Sequence, residues 1–145
     1  MNKKDDNILN ELKKNSRLTT SQIAKKTNIP ITTVHNRILK LKDDVIKKFT
    51  VEINYEKLGL PLLAYVLVSA FNALPSGKSI SQEDIAKKIK KYDLVDSVEI
   101  ITGDFDLLVR IRASSMESLN STITQYIRHV EGVDKTKTMM VMKET

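Results

Sequence analysis

The chain has 145 residues, 41% of them hydrophobic and 29% charged, which suits one ordinary domain or two small ones and excludes a disordered chain. It contains no cysteine, which excludes disulfides, thiolate catalysis and cysteine-ligated metal centres. The formal net charge is +6; residues 1–50 carry 12 basic and 5 acidic side chains, whereas residues 51–145 carry 12 and 13. The excess of +7 in the first third predicts a polyanion-binding surface there.

Three helices are predicted in residues 2–44. The first covers about residues 3–14, with Asn2 as its cap. The second begins at a capping box formed by Thr19 and Gln22, and it ends at Asn28, a residue that tolerates the left-handed conformation. The third follows Pro30. The apolar positions expected to face a small shared core are Ile8, Leu9, Leu12, Ile23, Ala24, Val34, Ile38 and Leu41.

The second and third helices read as a helix-turn-helix. The face of the third helix opposite its apolar stripe carries short polar groups and cations, which suits the base edges of a DNA major groove. Asn36 is the candidate for reading a base, and Lys40 and Arg37 for contacting phosphate, unless Arg37 is half-buried. The full set of DNA-binding candidates is Thr20, Ser21, Thr32, Thr33, His35, Asn36, Arg37 and Lys40. The spacing alone also fits an ordinary helical hairpin with a solvated face.

The chain is predicted to divide near residue 55. Residues 45–53 are rich in strand formers and could add a short strand or wing to the third helix, completing a winged helix-turn-helix domain over residues 1–54. Residues 55–61 read as a linker, with Gly59 and Pro61 as turn signals. The second domain is then expected to cover residues 62–145.

The second domain reads as β-α-β-β-α-β, the order of ferredoxin-like α+β domains. The expected strands are residues 62–71, 95–102, 105–113 and 133–142, with a Gly103-Asp104 turn between the middle two. One helix begins after Ser81, with Asp84 three residues on. The other begins at Ser115, with an apolar stripe of Met116, Leu119, Ile123, Ile127 and Val130.

Such a sheet has helices on one side, so its other face is expected to be solvated or covered. Side chains alternate across a strand, so not all the apolar strand residues can face the helices. Self-association commonly covers such a face, which predicts a homodimer. The alternative is that the linker or the first domain covers it. The residues in question are Leu63, Tyr65, Leu67, Leu108, Met140 and Met142.

Enzyme signals are weak. The two histidines, His35 and His129, lie far apart in the sequence, and no glycine-rich phosphate loop occurs among only 4 glycines. Asp104 and Asp106 form a carboxylate pair, for which a turn role beside Gly103 is at least as good a reading. We therefore expect no enzyme, no cofactor and no metal ion.

Across nearly its full length the chain resembles the Lrp/AsnC, or feast/famine, transcription regulators of bacteria and archaea. The resemblance is carried by residues 5–12, 16–18, 37–41, 45–46, 58–59 and 102–108, and by Gly132-Val133 with Thr136 and Thr138. It implies a winged helix-turn-helix followed by a βαββαβ domain that senses small molecules, usually amino acids, and dimerises through its sheet. It also implies tetramers or octamers, with the effector held between dimers by Gly103, Asp104, Asp106, Thr136 and Thr138. There, exposed N–H groups near Gly103 would hold a carboxylate and an aspartate would hold an ammonium.

Three departures from the family pattern stand out: Asp44 in place of the usual Gly, Pro30 in place of a capping Ser, and a long loop at residues 72–81. Two other functions fit the same fold, a sirohaem-decarboxylase-like enzyme and an effector-free architectural DNA-binding protein. No signal peptide or membrane-spanning segment is recognisable, so a cytoplasmic location is expected.

Overall fold

The computed structural model describes residues 2–145 and divides after Ile53 into two compact units. The N-terminal unit (residues 1–53) contains α1 (Lys3–Lys14), α2 (Thr20–Thr27) and α3 (Ile31–Asp44). The C-terminal unit (residues 54–145) contains four strands and two helical segments. They are β1 (Leu62–Ala70), α4 (Gln82–Lys90), β2 (Val95–Ile100), β3 (Leu107–Ala113), α5 (Met116–Ser121, continuing in other helical geometry to His129) and β4 (Val133–Met140).

The predicted helix starts are confirmed. The side chain of Asn2 accepts a hydrogen bond from the Asp5 amide, at 3.0 Å. Thr19 accepts from the Gln22 amide at 3.2 Å, and the Gln22 side chain accepts from the Thr19 amide at 2.9 Å, so both halves of the capping box are present. Asn28 closes α2 in the left-handed conformation, with φ of 54°. Local sequence alone therefore determines where α1 and α2 begin.

The core of the N-terminal unit holds the apolar stripes of all three helices. Ile8, Ile23 and Val34 are fully buried, and Ile38 packs partly buried beside them. Residues 46–53 do not form the expected strand, since none of them pairs with another strand within the described part of the chain. Ile46 nevertheless packs on this core, and the Ser16 hydroxyl donates to the carbonyl of Thr50 at 3.3 Å. The residues expected to form a wing are thus held to the rest of the N-terminal unit by these contacts, without strand pairing.

The C-terminal unit is built on an antiparallel sheet with strand order β2-β3-β1-β4. The observed order of elements confirms the predicted β-α-β-β-α-β arrangement. Three of the predicted strands end earlier than expected, at Ala70, Ile100 and Met140, and β3 begins at Leu107 instead of residue 105. The predicted linker, residues 55–61, contains hydrogen-bonded turns over residues 55–59, among them Leu60 N–H to Tyr55 O at 2.8 Å.

One face of this sheet is covered by α4 and α5. Alternate strand residues on that face have no exposed surface, and the helices contribute fully buried isoleucines to the same core. These residues are Ala64, Val66, Val68, Leu107, Val109, Ile111, Ile85, Ile89 and Ile127. Met140 also packs on this core, opposite Ala64, so among the six apolar strand residues named from the sequence it is one that faces the helices.

The second helix of the unit is not a regular α-helix throughout. It begins at the predicted cap, where Ser115 accepts from the Ser118 amide at 3.1 Å. Residues Thr122–Tyr126 then form a π-helical turn and residues Ile127–His129 a 3-10 turn. Met116 is 59% exposed and does not belong to the buried stripe, whereas Leu119, Ile123 and Ile127 do.

The other face of the sheet, which we call the outer face, mixes apolar and charged side chains. Along the β1–β3 pair, Leu67 lies opposite Leu108 and Tyr65 lies opposite Arg110. Arg112 is 5% exposed, with its guanidinium carbon 4.0 Å from the centre of the Tyr55 ring. Two hydrogen bonds of 2.7 and 2.8 Å join this guanidinium to Glu144 near the C-terminus. Part of the outer face is therefore occupied by the Arg112–Glu144 ion pair.

Candidate DNA-binding and effector-binding sites

Half of the predicted DNA-binding residues lie together in the N-terminal unit. Thr20 of α2 and Thr32, His35 and Asn36 of α3 line one surface recess of about 350 Å³. The α2–α3 turn brings them together, because Asn28 reverses the chain in the left-handed conformation and the buried Ile29 anchors it. The recess offers hydroxyl, imidazole and amide groups, which can pair with donors and acceptors on base edges.

Ile31 completes this recess and was not selected from the sequence. Ile31 is the first residue of α3, and its side chain is 51% exposed. Its apolar character alone would have suited a buried position just as well. An exposed aliphatic group beside polar readers suits contact with a thymine methyl. The signal that could have identified it is its position directly after Pro30, which caps α3 without any side-chain hydrogen bond.

The other four candidates of this set have different surroundings. Ser21 and Lys40 are exposed, and Thr33 is half-buried. Arg37 points to α1, where its Nη1 donates to both carboxylate oxygens of Asp5, at 3.2 and 3.3 Å. Asp5 is 8% exposed. The ion pair therefore ties α3 to α1, and the half-buried reading of Arg37 is the one that the structure shows.

The β2–β3 hairpin holds three of the predicted effector-binding residues. Gly103 has φ of 122°, and a side chain built there would meet nothing within 4 Å. Asp104 is exposed beside it. Asp106 is engaged within the chain, since its carboxylate accepts from the Ala70 amide and from the Gln82 side chain, both at 2.7 Å. Asp106 therefore links the end of β1 to the start of α4, a structural role that leaves Asp104 as the free carboxylate of this turn.

The two threonines of the predicted effector site lie elsewhere in the same sheet. Thr136 and Thr138 are on β4, opposite Val68 and Val66 of β1. Because β1 lies between β3 and β4, the strand that carries these threonines is not the direct neighbour of the β2–β3 hairpin. Two strand spacings amount to roughly 10 Å. Thr136 also accepts a hydrogen bond from Arg128 Nε at 2.9 Å. One protomer does not bring all five residues into one site.

Two further features bear on alternative functions. His129 Nδ1 lies 3.0 Å from the carbonyl oxygen of Thr124, a contact within its own helical segment, and His35 belongs to the other unit. Within residues 2–145 no three metal-ligating side chains are grouped so that they could hold an ion. In the same residues no helix has the length and apolar character needed to cross a membrane.

Comparison with known proteins identifies both units. Residues 1–44 match the family model described as winged helix-turn-helix DNA-binding, and residues 67–145 match the model of the Lrp/AsnC ligand binding domain. Together they define a transcriptional regulator in which a DNA-binding domain precedes a ligand-binding domain.

Relatives of similar length support this class. An uncharacterized HTH-type transcriptional regulator of Pyrococcus furiosus is 36% identical over 97% of this chain and 91% of its own length. The HTH-type transcriptional regulator FL11 of the same organism is 35% identical over 96% of this chain and 87% of its own. The chain belongs to the Lrp/AsnC family.

Solved structures show the same fold. LrpC of Bacillus subtilis superimposes with a TM-score of 0.86 and 26% identity, covering all of this chain and 96% of that one. A transcriptional regulator of Neisseria meningitidis, solved in complex with L-methionine, gives a TM-score of 0.89 at 24% identity and covers 99% and 91%. At that identity the second likeness supports the fold alone.

Proposed function

We propose that the protein is a sequence-specific DNA-binding transcription regulator whose C-terminal unit responds to an amino acid. The recess formed by Thr20, Ile31, Thr32, His35 and Asn36 on the exposed side of α3 carries the proposal. It presents base-pairing chemistry on the unit with the basic excess, 12 cations against 5 anions in residues 1–50. Cations attract the phosphate backbone, and the polar groups of the recess supply the readout of sequence.

An amino acid is the proposed effector class for two reasons. Regulators of Neisseria meningitidis and Mycobacterium tuberculosis with this fold were solved with L-methionine. In this chain Gly103 and Asp104 offer an exposed turn with a free carboxylate, which can hold the ammonium group of an amino acid. Since Thr136 and Thr138 lie across the sheet, we propose that the complete site takes the hairpin from one protomer and β4 from another.

The experiment that tests DNA recognition is binding of the full-length protein to its own upstream region at several salt concentrations. We expect protection of two half-sites, with centres separated by roughly 10 base pairs or a multiple of it. Affinity should fall steeply with salt because phosphate contacts release counterions. Protection of a single half-site, or affinity that does not change with salt, would contradict the proposal.

Effector binding is tested by calorimetric titration with the twenty amino acids. We expect at least one of them to give heat of binding. This heat should be lost in Asp104→Ala and in Thr138→Ala. It should be kept in the control Asp93→Ala, because Asp93 is an exposed carboxylate outside the hairpin. The same amino acid should then change DNA affinity through its preference for one assembly. Binding unchanged in both variants would place the effector elsewhere. Binding of none would favour an effector-free architectural protein.

A further inference from the structure

The C-terminal unit carries a local concentration of positive charge that its overall composition hides. Residues 51–145 have 12 basic and 13 acidic side chains. Four of those lysines nevertheless line one surface recess of about 350 Å³, together with two acidic side chains, Asp84 and Glu131. The four are Lys78, Lys87, Lys88 and Lys91. We call this recess the lysine recess.

Three separate segments build the lysine recess. Lys87, Lys88 and Lys91 project from one side of α4 and the residue after it, Lys78 and Ser79 come from the loop before α4, and Glu131 precedes β4. The convergence of these segments makes the recess a feature of the tertiary structure, in contrast to a run of solvated charges along a helix.

The acidic side chains neutralise only part of this charge. Glu131 pairs with Lys88 at 3.6 Å, and the Asp84 carboxylate accepts from the Ser81 hydroxyl at 2.8 Å at the start of α4. Among residues 2–145 no ion pair within 4.0 Å involves Lys78, Lys87 or Lys91. Three exposed ammonium groups around the recess therefore have no anionic partner in the chain.

Helix stability accounts for these lysines only in part. Lys87, Lys88 and Lys90 all lie in the last turn of α4, where a cation complements the helix dipole, and Lys90 also donates to the carbonyls of Val95 and Asp96. Lys87 and Lys91 are like charges four residues apart, an arrangement that destabilises a helix. The charges of Lys87 and Lys91 therefore do not stabilise the fold through ion pairs, and they are free to bind an anionic ligand.

We infer that the lysine recess is a second contact surface for the DNA phosphate backbone, engaged by duplex that extends beyond the half-sites bound by α3. This inference rests on the proposed DNA-binding function. Lysine is a flexible point charge that contacts phosphate without reading bases. The recess therefore adds affinity that depends on DNA length and salt, and it leaves sequence preference to the N-terminal unit.

The test compares two duplexes, one confined to the half-sites and one several helical turns longer on each side. The variant is Lys87→Gln/Lys91→Gln, and the matched control is Lys57→Gln/Lys143→Gln, two exposed lysines of the same unit outside the recess. On the long duplex the variant should bind on the order of tenfold more weakly than the control at low salt. Its slope of log K against log salt should be smaller by about 1.8 for each protomer that contacts the flanking duplex, since each phosphate contact contributes about 0.9.

The results separate this inference from the function on which it rests. On the short duplex, variant and control should bind alike, because the half-sites are held by α3. Equal affinities of variant and control on the long duplex, with equal salt slopes, would overturn the lysine recess as a DNA contact while leaving the DNA-binding function intact. Failure of the unmodified protein to bind either duplex would overturn the proposed function and this inference with it.

Discussion

At the residue scale, the molecule separates side chains that hold the fold from side chains left free to bind. Arg37 and Asn36 are neighbours in the sequence, yet Arg37 pairs with Asp5 while Asn36 is exposed in the α2–α3 recess. Asp106 and Asp104 differ in the same way, one held by two hydrogen bonds and the other exposed. The free member of each pair is the better candidate for ligand contact.

Replacing Asn36 with Ala should weaken binding to the preferred DNA site by about 1–3 kcal/mol and relax preference at one base position. The physical reason is that a carboxamide can donate and accept at one adenine, which a methyl group cannot. Binding of a set of single-base variants of the site measures both effects. Asn120→Ala, an exposed amide on α5, is the control and should leave affinity unchanged. Identical base preference in Asn36→Ala and the unmodified protein would contradict this role.

The Glu144–Arg112 pair makes the stability of the C-terminal unit depend on pH. The hydrogen bond from Arg112 lowers the pKa of the Glu144 carboxyl, an effect reinforced by the charge of Arg112 and opposed by desolvation. A carboxyl whose pKa is lower in the folded state stabilises the fold above its unfolded-state pKa, and this contribution is lost as the pH falls through the folded-state pKa.

Glu144→Gln should therefore lower the melting temperature at pH 7, and the difference from the unmodified protein should shrink as the pH falls through the folded-state pKa of Glu144. Thermal unfolding from neutral to acidic pH measures it. Glu56→Gln, an exposed glutamate in the turns before β1, is the control and should show a smaller difference at pH 7. A Glu144→Gln difference that does not shrink at all as the pH falls would mean that packing, and not charge, stabilises the contact.

At the scale of elements, close packing of α4 against the chain entering β4 depends on one glycine. Gly132 has φ of 98°, and its carbonyl accepts from the Phe71 amide at 2.9 Å beyond the end of β1. A Cβ at this position would lie 2.7 Å from Ile85 Cδ1 and 3.0 Å from Ile80 Cγ2. Ile85 is fully buried, so it has little room to move.

Gly132→Ala should destabilise the C-terminal unit by about 2–4 kcal/mol, the sum of backbone strain and overpacking. Gly77→Ala is the matched control, because Gly77 also has positive φ, of 79°, but no atom within 4 Å of an added Cβ. The control should cost about 1 kcal/mol, from the backbone alone. Chemical denaturation measures both free energies of unfolding, and equal losses would show that Ile85 moves aside freely.

At the scale of the whole molecule, the outer face of the sheet is the surface that most needs a partner. Leu67 and Leu108 are only half-buried, although they are adjacent on the two central strands. The Arg112–Glu144 pair partly neutralises charge on the same face, while within the described chain the buried Nε atoms of Arg110 and Arg112 lack a hydrogen-bond partner. We propose that two copies of this face form the dimer, and a two-fold dimer carries two α3 helices for a symmetric DNA site.

Leu67→Glu should convert the dimer to monomer, because taking a carboxylate out of water in a covered interface costs about 3 kcal/mol or more even opposite Lys137 of β4, at least a hundredfold in Kd. Sedimentation measures the change. Met116→Glu, at an exposed position on α5, is the control and should remain dimeric. The monomer should also bind one half-site without the cooperativity of the pair. A Leu67→Glu protein that stays dimeric would exclude the outer face as the interface.

Much of the fold was predictable because its signals are local. Helix caps at Asn2, Thr19, Ser81 and Ser115 join atoms three residues apart, so the residue types at that spacing were sufficient. The strands of the C-terminal unit were found by their apolar character, but their ends were not, because pairing partners decide where a strand stops. For the same reason residues 46–53, rich in strand formers, remain without a strand in the described chain.

The sequence by itself determined the family, the order of elements, the basic excess of the first third and the polar face of α3, since all of these depend on residue type and short spacing. Only the tertiary structure decided that Arg37 pairs with Asp5 and that Arg112 pairs with Glu144, since the two residues of each pair are 32 positions apart in the sequence. It also decided that β1 separates the Gly103 turn from Thr136 and Thr138, and that four lysines converge on one recess. These facts follow from strand order and from chain segments meeting in space, and neither leaves a periodic signal in the sequence.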